Sequence, residues 1–158
     1  MVDDEKAGFR LPRGATGFYR PDHGPLPETD VRAFRSALYA AARVAGGKVG
    51  EVEAQAYPRT FHTASVFDGA GEQVVLCHAH HPWIAFARVR RDWYDDEFAA
   101  PPSWADVFAH AGFVVLTHEQ LTAPLSTVDT SVLTQGEWRA IRLYGITALG
   151  GVIFNAWD

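Results

Sequence analysis

Cysteine is almost absent from this sequence. Cys77 is the only one in 158 residues, which excludes an intramolecular disulfide. The acidic start from Met1 to Lys6 has no apolar stretch behind it that would make a signal peptide, so we expect a cytoplasmic protein. No apolar run approaches the roughly eighteen residues of a membrane span, and we expect no association with a membrane.

Familiar catalytic motifs are also missing. The sequence has no Gly-x-Ser-x-Gly elbow, Walker loop, Cys-x-x-Cys pair or calcium loop. Gly69-Ala70-Gly71 resembles the start of a dinucleotide fingerprint, but it joins two predicted strands and opens no helix that could face a phosphate. These absences favour a protein that binds over an enzyme of a familiar class.

Positive charge is in the minority. The 14 Lys and Arg residues stand against 19 Asp and Glu, for a formal net charge of −5. Such a molecule repels phosphate backbones, and we expect no nucleic-acid partner. The one basic run, Arg88–Arg91, directly precedes the acidic stretch Asp92–Glu97, which partly cancels its field. Ala, Arg and Gly are common and Lys is scarce, a composition typical of GC-rich bacterial genomes.

Apolar side chains are plentiful. Hydrophobic residues make up 47% of the chain and aromatic residues 13%, which is enough to build one core without disulfides or metal ions to stabilise it. Residues 1–27 are rich in Gly and Pro, which predicts an irregular N-terminal segment laid over that core and held down by Phe9, Phe18 and Tyr19. Residues 28–158 predict one domain.

The first predicted elements are a helix and a meander of strands. Residues 29–45 have the pattern of an amphipathic helix, with Thr29 or Asp30 as its cap and Gly46-Gly47 at its end. From Val49 the hydrophobic period changes to two, which predicts strands at 49–57, 60–67, 72–80 and 83–90. Their short connections favour antiparallel pairing, and Pro82 predicts a bend.

Short helices alternating with strands are predicted for the remainder. Three hydroxyl residues precede an Asp, Gln or Glu by three positions, the spacing of a capping box, and each opens a short helix: Ser103/Asp106, Thr117/Gln120 and Thr134/Glu137. Phe113–Leu116 and Val152–Trp157 read as strands. We therefore predict a single α+β domain with a mainly antiparallel sheet of about five or six strands, one long N-terminal helix and two or three short helices.

The densest group of polar side chains is the Cys77–His81 cluster, which has four potential metal ligands in five positions. On an extended strand His78 and His80 would point to one face, and Cys77 and His81 to the other. With His62 from the neighbouring strand, His78 and His80 form a candidate site for a divalent metal such as zinc. The same two histidines are candidate acid–base groups for catalysis.

Hairpin register decides whether these three histidines meet. A hairpin closed symmetrically about Gly69-Ala70 places His62 opposite Cys77, on the face away from His78 and His80. A shift of one residue places His62 opposite His78 and assembles all three on one face. The structural alternative is that the histidines end a core strand with backbone partners, while Cys77 is a buried and inert thiol.

The second candidate feature is the acidic aromatic loop, residues 92–98, where aromatic side chains are interleaved with acids. Aromatics supply contact area and carboxylates steer a basic partner, which predicts this partner-binding set: Trp93, Tyr94, Asp95, Asp96 and Glu97. In the alternative, Trp93 and Phe98 fold inward and only the acids face water.

Three hypotheses of function follow. The leading one is a small cytoplasmic protein-binding module without a cofactor, an inhibitor or immunity-type protein that covers a basic partner protein such as a nuclease toxin. The second is a small metal- or histidine-dependent enzyme that uses the Cys77–His81 cluster. The third is a homo-oligomer that associates through exposed aromatic side chains.

Overall fold

The first helix, α1, spans Val31–Ala45 and is bounded by the residues that its sequence predicts. In this computed structural model, which describes residues 9–18 and 24–157, the Asp30 side chain accepts hydrogen bonds from the first-turn amides. Gly46 ends the helix in the left-handed conformation, at a φ of 70°. Tyr19 and the acidic start of the chain lie outside the described residues.

A six-stranded sheet follows, and all but one of its pairings are antiparallel. Its strands lie in the order β1-β2-β3-β4-β5, with β6 added in parallel to β4. They span Lys48–Glu53, Phe61–Asp68, Gly71–His78, Trp83–Ala87, Phe98–Ala99 and Val114–Val115. The predicted α+β domain with a mainly antiparallel sheet is therefore confirmed.

Four further helices lie in the part of the chain that the structure describes. Two of them open with the predicted capping boxes, Thr117/Gln120 and Thr134/Glu137, whereas the helix after Ser103 forms without a side-chain cap. Helices α2, α3, α4 and α5 span Asp106–His110, His118–Leu121, Gln135–Tyr144 and Leu149–Ile153, and short 3-10 turns occupy Ser103–Ala105 and Leu125–Thr127.

The sheet is the middle layer of three, and side chains alternate between its two faces. One face packs against α1 and α2 through the α1 cluster, which includes Phe34, Val75 and Phe108. The opposite face packs against the C-terminal helices and residues 9–18 through the C-terminal cluster, which includes Leu76 and Phe154. Because β2, β3 and β4 are covered on both faces, neither cluster forms without the sheet.

The predicted strand over Val152–Trp157 is wrong. Leu149–Ile153 forms the short helix α5, and all five of its residues are buried. A continuous apolar run is compatible with either a buried strand or a buried helix, so its tertiary setting decides between them. Here the backbone of the following residues pairs with Thr60 instead of with a sheet edge, since the Thr60 amide donates to the Asn155 carbonyl at 3.0 Å.

Residues 9–18 have no helix or strand, yet they pack closely on the second face of the sheet. Leu11 and Ala15 are buried in the core, and Phe9 meets the Trp83 ring edge-on at 5.4 Å between ring centroids. The amides of Leu11 and Asp129 bind the carbonyls of Asp129 and Phe9. Backbone and side-chain contacts both fix this segment.

Within the described residues, no helix combines the length and the apolar character that crossing a bilayer requires.

Candidate functional site

Hairpin register separates the candidate metal ligands. The turn at Gly69-Ala70 pairs Asp68 with Gly71 and places His62 opposite Cys77, which is the symmetric register. Consequently His62 faces α1, where its ring stacks on Phe34 at 6.2 Å between centroids. His78 lies on the opposite face, against Trp83 and Phe154. The structure therefore does not bring His62, His78 and His80 together.

The structure assembles a different set of histidines, because β3 ends at His78 instead of continuing to residue 80. The Nδ1 atom of His78 accepts from the backbone amides of His80 at 3.1 Å and His81 at 3.2 Å. These two bonds fold the chain back before Pro82, and so the rings of His80 and His81 each lie 5.7 Å from that of His78, between centroids. The expectation that His81 would point away from His78 is wrong for this reason.

In this histidine turn, residues 78–81, each of the three histidines has one ring nitrogen that meets a backbone carbonyl. Nε2 of His78 lies 2.8 Å from the Ala15 carbonyl, Nε2 of His81 lies 2.9 Å from the Arg13 carbonyl, and Nδ1 of His80 lies 2.9 Å from the Pro27 carbonyl. A carbonyl only accepts, so each of these nitrogens carries a proton. The histidine turn therefore holds the N-terminal segment against the sheet.

The remaining nitrogens do not make a metal site. His78 has both nitrogens engaged, which leaves one each on His80 and His81, whereas a zinc site needs three or four protein ligands. Among residues 9–18 and 24–157, no group of three His, Cys, Asp or Glu side chains is arranged to hold a metal ion.

Burial favours the neutral forms of three histidines and of Cys77. It lowers the pKa of His78 to about 3, against the opposing effect of the bond to Ala15, and it lowers the pKa of His62 and His81 as well. Burial also raises the pKa of the Cys77 thiol. Since the thiolate is the reactive form of cysteine, Cys77 is unsuited to nucleophilic chemistry.

In the acidic aromatic loop the structure divides the predicted residues between core and surface. Tyr94 is fully buried, so it anchors the loop and is not available to a partner. Its hydroxyl donates to the Val89 carbonyl and accepts from the Arg91 amide, both at 2.8 Å. Phe98 is buried beside it, while Trp93 stays 49% exposed. The alternative prediction, that both Trp93 and Phe98 fold inward, is therefore correct for Phe98 and wrong for Trp93.

Arginines neutralise part of this loop. Asp92 lies 3.8 Å from the Arg59 guanidinium, and Glu97 lies 3.4 Å from that of Arg91. Asp96 is exposed and Asp95 half-buried. Partial burial raises the pKa of Asp95, and the neighbouring carboxylates of Asp96 and Glu97 raise it further.

A groove that sequence reasoning missed lies between α4 and the connection from β1 to β2. Its volume is about 630 Å³, within the range of small-molecule sites. We call it the Trp157 groove. Aromatic, apolar and basic side chains dominate its wall: Phe18, Tyr57, Arg59, His80, Arg139, Leu143, Tyr144 and Trp157.

No local pattern in the sequence predicts this groove. Its wall combines residues from five separate places in the chain, namely 16–18, 55–60, His80, 136–144 and Trp157. Tyr57 and Leu143 are 79% and 76% exposed, which no pattern in the neighbouring residues predicts. Only the three-dimensional fold brings these positions together.

Comparison of the chain with protein-family models, curated proteins and solved structures finds no match in any of the three.

Proposed function

We propose that this protein is a small cytoplasmic binding module that engages a basic partner protein through the exposed side of the acidic aromatic loop. The observation that carries the proposal is Trp93, a large aromatic side chain held half in water beside the carboxylates of Asp95 and Asp96. A basic protein of the kind that inhibitor and immunity-type proteins cover, such as a small nuclease, has the positive charge that complements these carboxylates.

The loop is built to hold Trp93 in place. Its neighbour Tyr94 is locked between Val89 and Arg91, and the Tyr94 amide donates to the Phe154 carbonyl at 3.1 Å. A rigid aromatic anchor loses little conformational entropy on association. Trp93 therefore has the features of an interface hot spot.

The contact set is smaller than the five residues predicted from sequence. Tyr94 supports the loop from inside, and Glu97 accepts a hydrogen bond from the Asp95 amide at 3.1 Å while pairing with Arg91. Trp93, Asp95 and Asp96 remain as the partner-facing side chains. Asp95 and Asp96 steer the encounter, and burial of Trp93 supplies most of the affinity.

The test compares three immobilised forms of the protein as baits for interacting proteins. They are the wild type, the variant Trp93→Ala/Asp95→Ala/Asp96→Ala, and the control Tyr39→Ala/Glu51→Ala. Tyr39 is 53% exposed on α1 and Glu51 is exposed on β1, so the control removes one aromatic and one acidic side chain from other parts of the surface. We expect a basic protein on the wild type and the control, and none on the triple variant.

Calorimetry with the purified captured protein makes the test quantitative. Trp93→Ala alone is expected to weaken binding about thirtyfold, the scale of one interface hot spot, and added salt should weaken it further because the partner is basic. The same proteins on all three baits, or no basic protein on any, would refute the proposal.

A further inference from the structure

The Trp157 groove concentrates aromatic surface. Trp157 packs against Tyr144 with ring planes 9° apart and centroids 6.2 Å apart, and Phe18 meets it edge-on at 6.0 Å. Trp157 itself is buried at 7% exposure, whereas Tyr144 is 38% exposed and Tyr57, in the connection from β1 to β2, is 79% exposed. The two tyrosines, supported by Trp157, therefore offer stacking surface to a planar ring.

Its charge is opposite to that of the molecule. The chain carries a net charge of −5, yet no carboxylate lines the groove among the described residues. The positive charges in its lining belong to Arg59 and Arg139. An anion is therefore repelled by most of the surface and attracted at this groove.

Of the two arginines, Arg139 is the one available to a ligand. Arg59 is engaged by groups within the fold, because its guanidinium donates to the carbonyls of Ala54 and Phe61 and lies 3.5 Å from Glu53. Arg139 is exposed on α4. A guanidinium presents paired N–H groups that match a carboxylate or phosphate group.

His80 adds a polar group of defined orientation. Its Nδ1–H donates to the Pro27 carbonyl, which fixes the ring and leaves Nε2 as a hydrogen-bond acceptor. The groove thus combines stacking surface, one available guanidinium and one oriented acceptor, which is the usual composition of a small-molecule site.

We propose that the Trp157 groove binds a small aromatic anion, a planar ring that bears a carboxylate or phosphate group. The ring lies against the exposed rings of Tyr144 and Tyr57, which the buried Trp157 supports from below, and the anionic group pairs with Arg139. This site shares none of its lining residues with the partner surface formed by Trp93, Asp95 and Asp96.

The test is a titration of ¹⁵N-labelled full-length protein with four probes, followed by NMR. Two are aromatic anions, 2-naphthoate and adenosine monophosphate, which distinguish carboxylate from phosphate. Two are controls, 2-naphthamide without charge and cyclohexanecarboxylate without an aromatic ring. We expect at least one aromatic anion to bind with a dissociation constant below about 1 mM, shifting the Trp157 indole N–H and the α4 amides, and both controls to bind at least about tenfold more weakly.

Variants assign the interaction to the groove. Arg139→Gln should weaken binding of the anion about tenfold, the scale of one charge-assisted hydrogen bond, and leave the weak binding of 2-naphthamide unchanged. Arg43→Gln, an exposed arginine on α1, should have no effect. The triple variant at Trp93, Asp95 and Asp96 should bind the probes normally, so failure of the partner proposal and failure of this one are distinguishable.

Four results would overturn the proposal. One is no shift at Trp157 with either aromatic anion at millimolar concentration. Another is binding of 2-naphthamide as tight as that of the aromatic anion. The third is equal binding of that anion by wild type and Arg139→Gln. The fourth is a shift at Trp157 that depends on protein concentration without any probe, because this would show that a second copy of the chain fills the groove.

Discussion

His78 is the residue on which the local structure of the histidine turn depends. Its imidazole accepts two backbone amides through Nδ1 and donates to the Ala15 carbonyl through Nε2. The neutral ring satisfies all three partners at once, and a second proton would break the two bonds at Nδ1. Loss of a buried bond costs the full desolvation of the group left unpaired.

Stability should consequently fall in mild acid. The pKa of His78 is lowered by burial from 6.5 to about 3, so below pH 6.5 the unfolded chain binds a proton that the folded chain does not. Unfolding becomes easier as the pH falls from 6.5 towards 3, and His78 alone accounts for a loss of about 2 kcal/mol between pH 7 and pH 5. His62 and His81 act in the same direction.

Urea unfolding of the wild type and His78→Gln at pH 7 and pH 5 measures this contribution. The variant should be less stable at pH 7 and should lose less stability than the wild type on acidification. His118→Gln, at an exposed position, should retain the wild-type pH dependence. If His78→Gln loses as much stability as the wild type between the two pH values, then His78 is not the group responsible.

Among the elements, α5 depends most directly on glycine. A Cβ built on Gly150 would lie 2.3 Å from Cε2 of Phe98 and 2.9 Å from the carbonyl oxygen of Leu121. Phe98 is buried and the carbonyl belongs to α3, so neither moves freely. Gly150 therefore allows α5 to approach closely, at a cost in helix propensity.

Two substitutions to alanine should have opposite effects. Gly150→Ala is expected to destabilise the protein by about 1–3 kcal/mol through overpacking. Gly136→Ala, in α4, would meet its nearest neighbour at an ordinary 3.6 Å and should stabilise by up to about 1 kcal/mol through helix propensity. Chemical denaturation measures both, and a neutral or stabilising Gly150→Ala would contradict the close packing of α5.

The sequence was sufficient to predict the helices whose ends are capped by residues within or next to them. Asp30 and Gly46 bound α1, and two capping boxes announce α3 and α4, because caps act over three or four residues. It was insufficient for α5, where the packing of Gly150 against Phe98 overrides low helix propensity. For the histidine turn, the alternative that the histidines end a core strand with backbone partners was correct, but the partners themselves at Ala15, Arg13 and Pro27 were not predictable because they lie more than 50 residues away in the chain.

The candidate sites show the same division. The acidic aromatic loop was visible as a composition, but which of its aromatics faces water depends on the bonds of Tyr94 to Val89 and Arg91. The sequence allowed two hairpin registers, one that separates the three candidate metal ligands and one that brings them together, and it does not choose between them. The Trp157 groove had no local pattern at all.

At the scale of the whole molecule, the two clusters share one sheet. Val75 and Leu76 are neighbours in β3, yet the first packs in the α1 cluster and the second in the C-terminal cluster. Loss of β3 would expose both clusters together. A domain covered on both faces of a single sheet should therefore unfold in one cooperative step.

Two tryptophans report on the two faces separately. Trp104 lies in the α1 cluster and Trp157 in the C-terminal cluster, so their folded indole N–H signals can be followed through a single urea titration by NMR. We expect the same midpoint for both. Phe108→Leu removes volume only from the α1 cluster and costs about 1–2 kcal/mol, and it should lower the midpoint at Trp157 as much as at Trp104. A shift confined to Trp104 would mean that the two layers unfold independently, because the sheet between them would then be unable to transmit the loss.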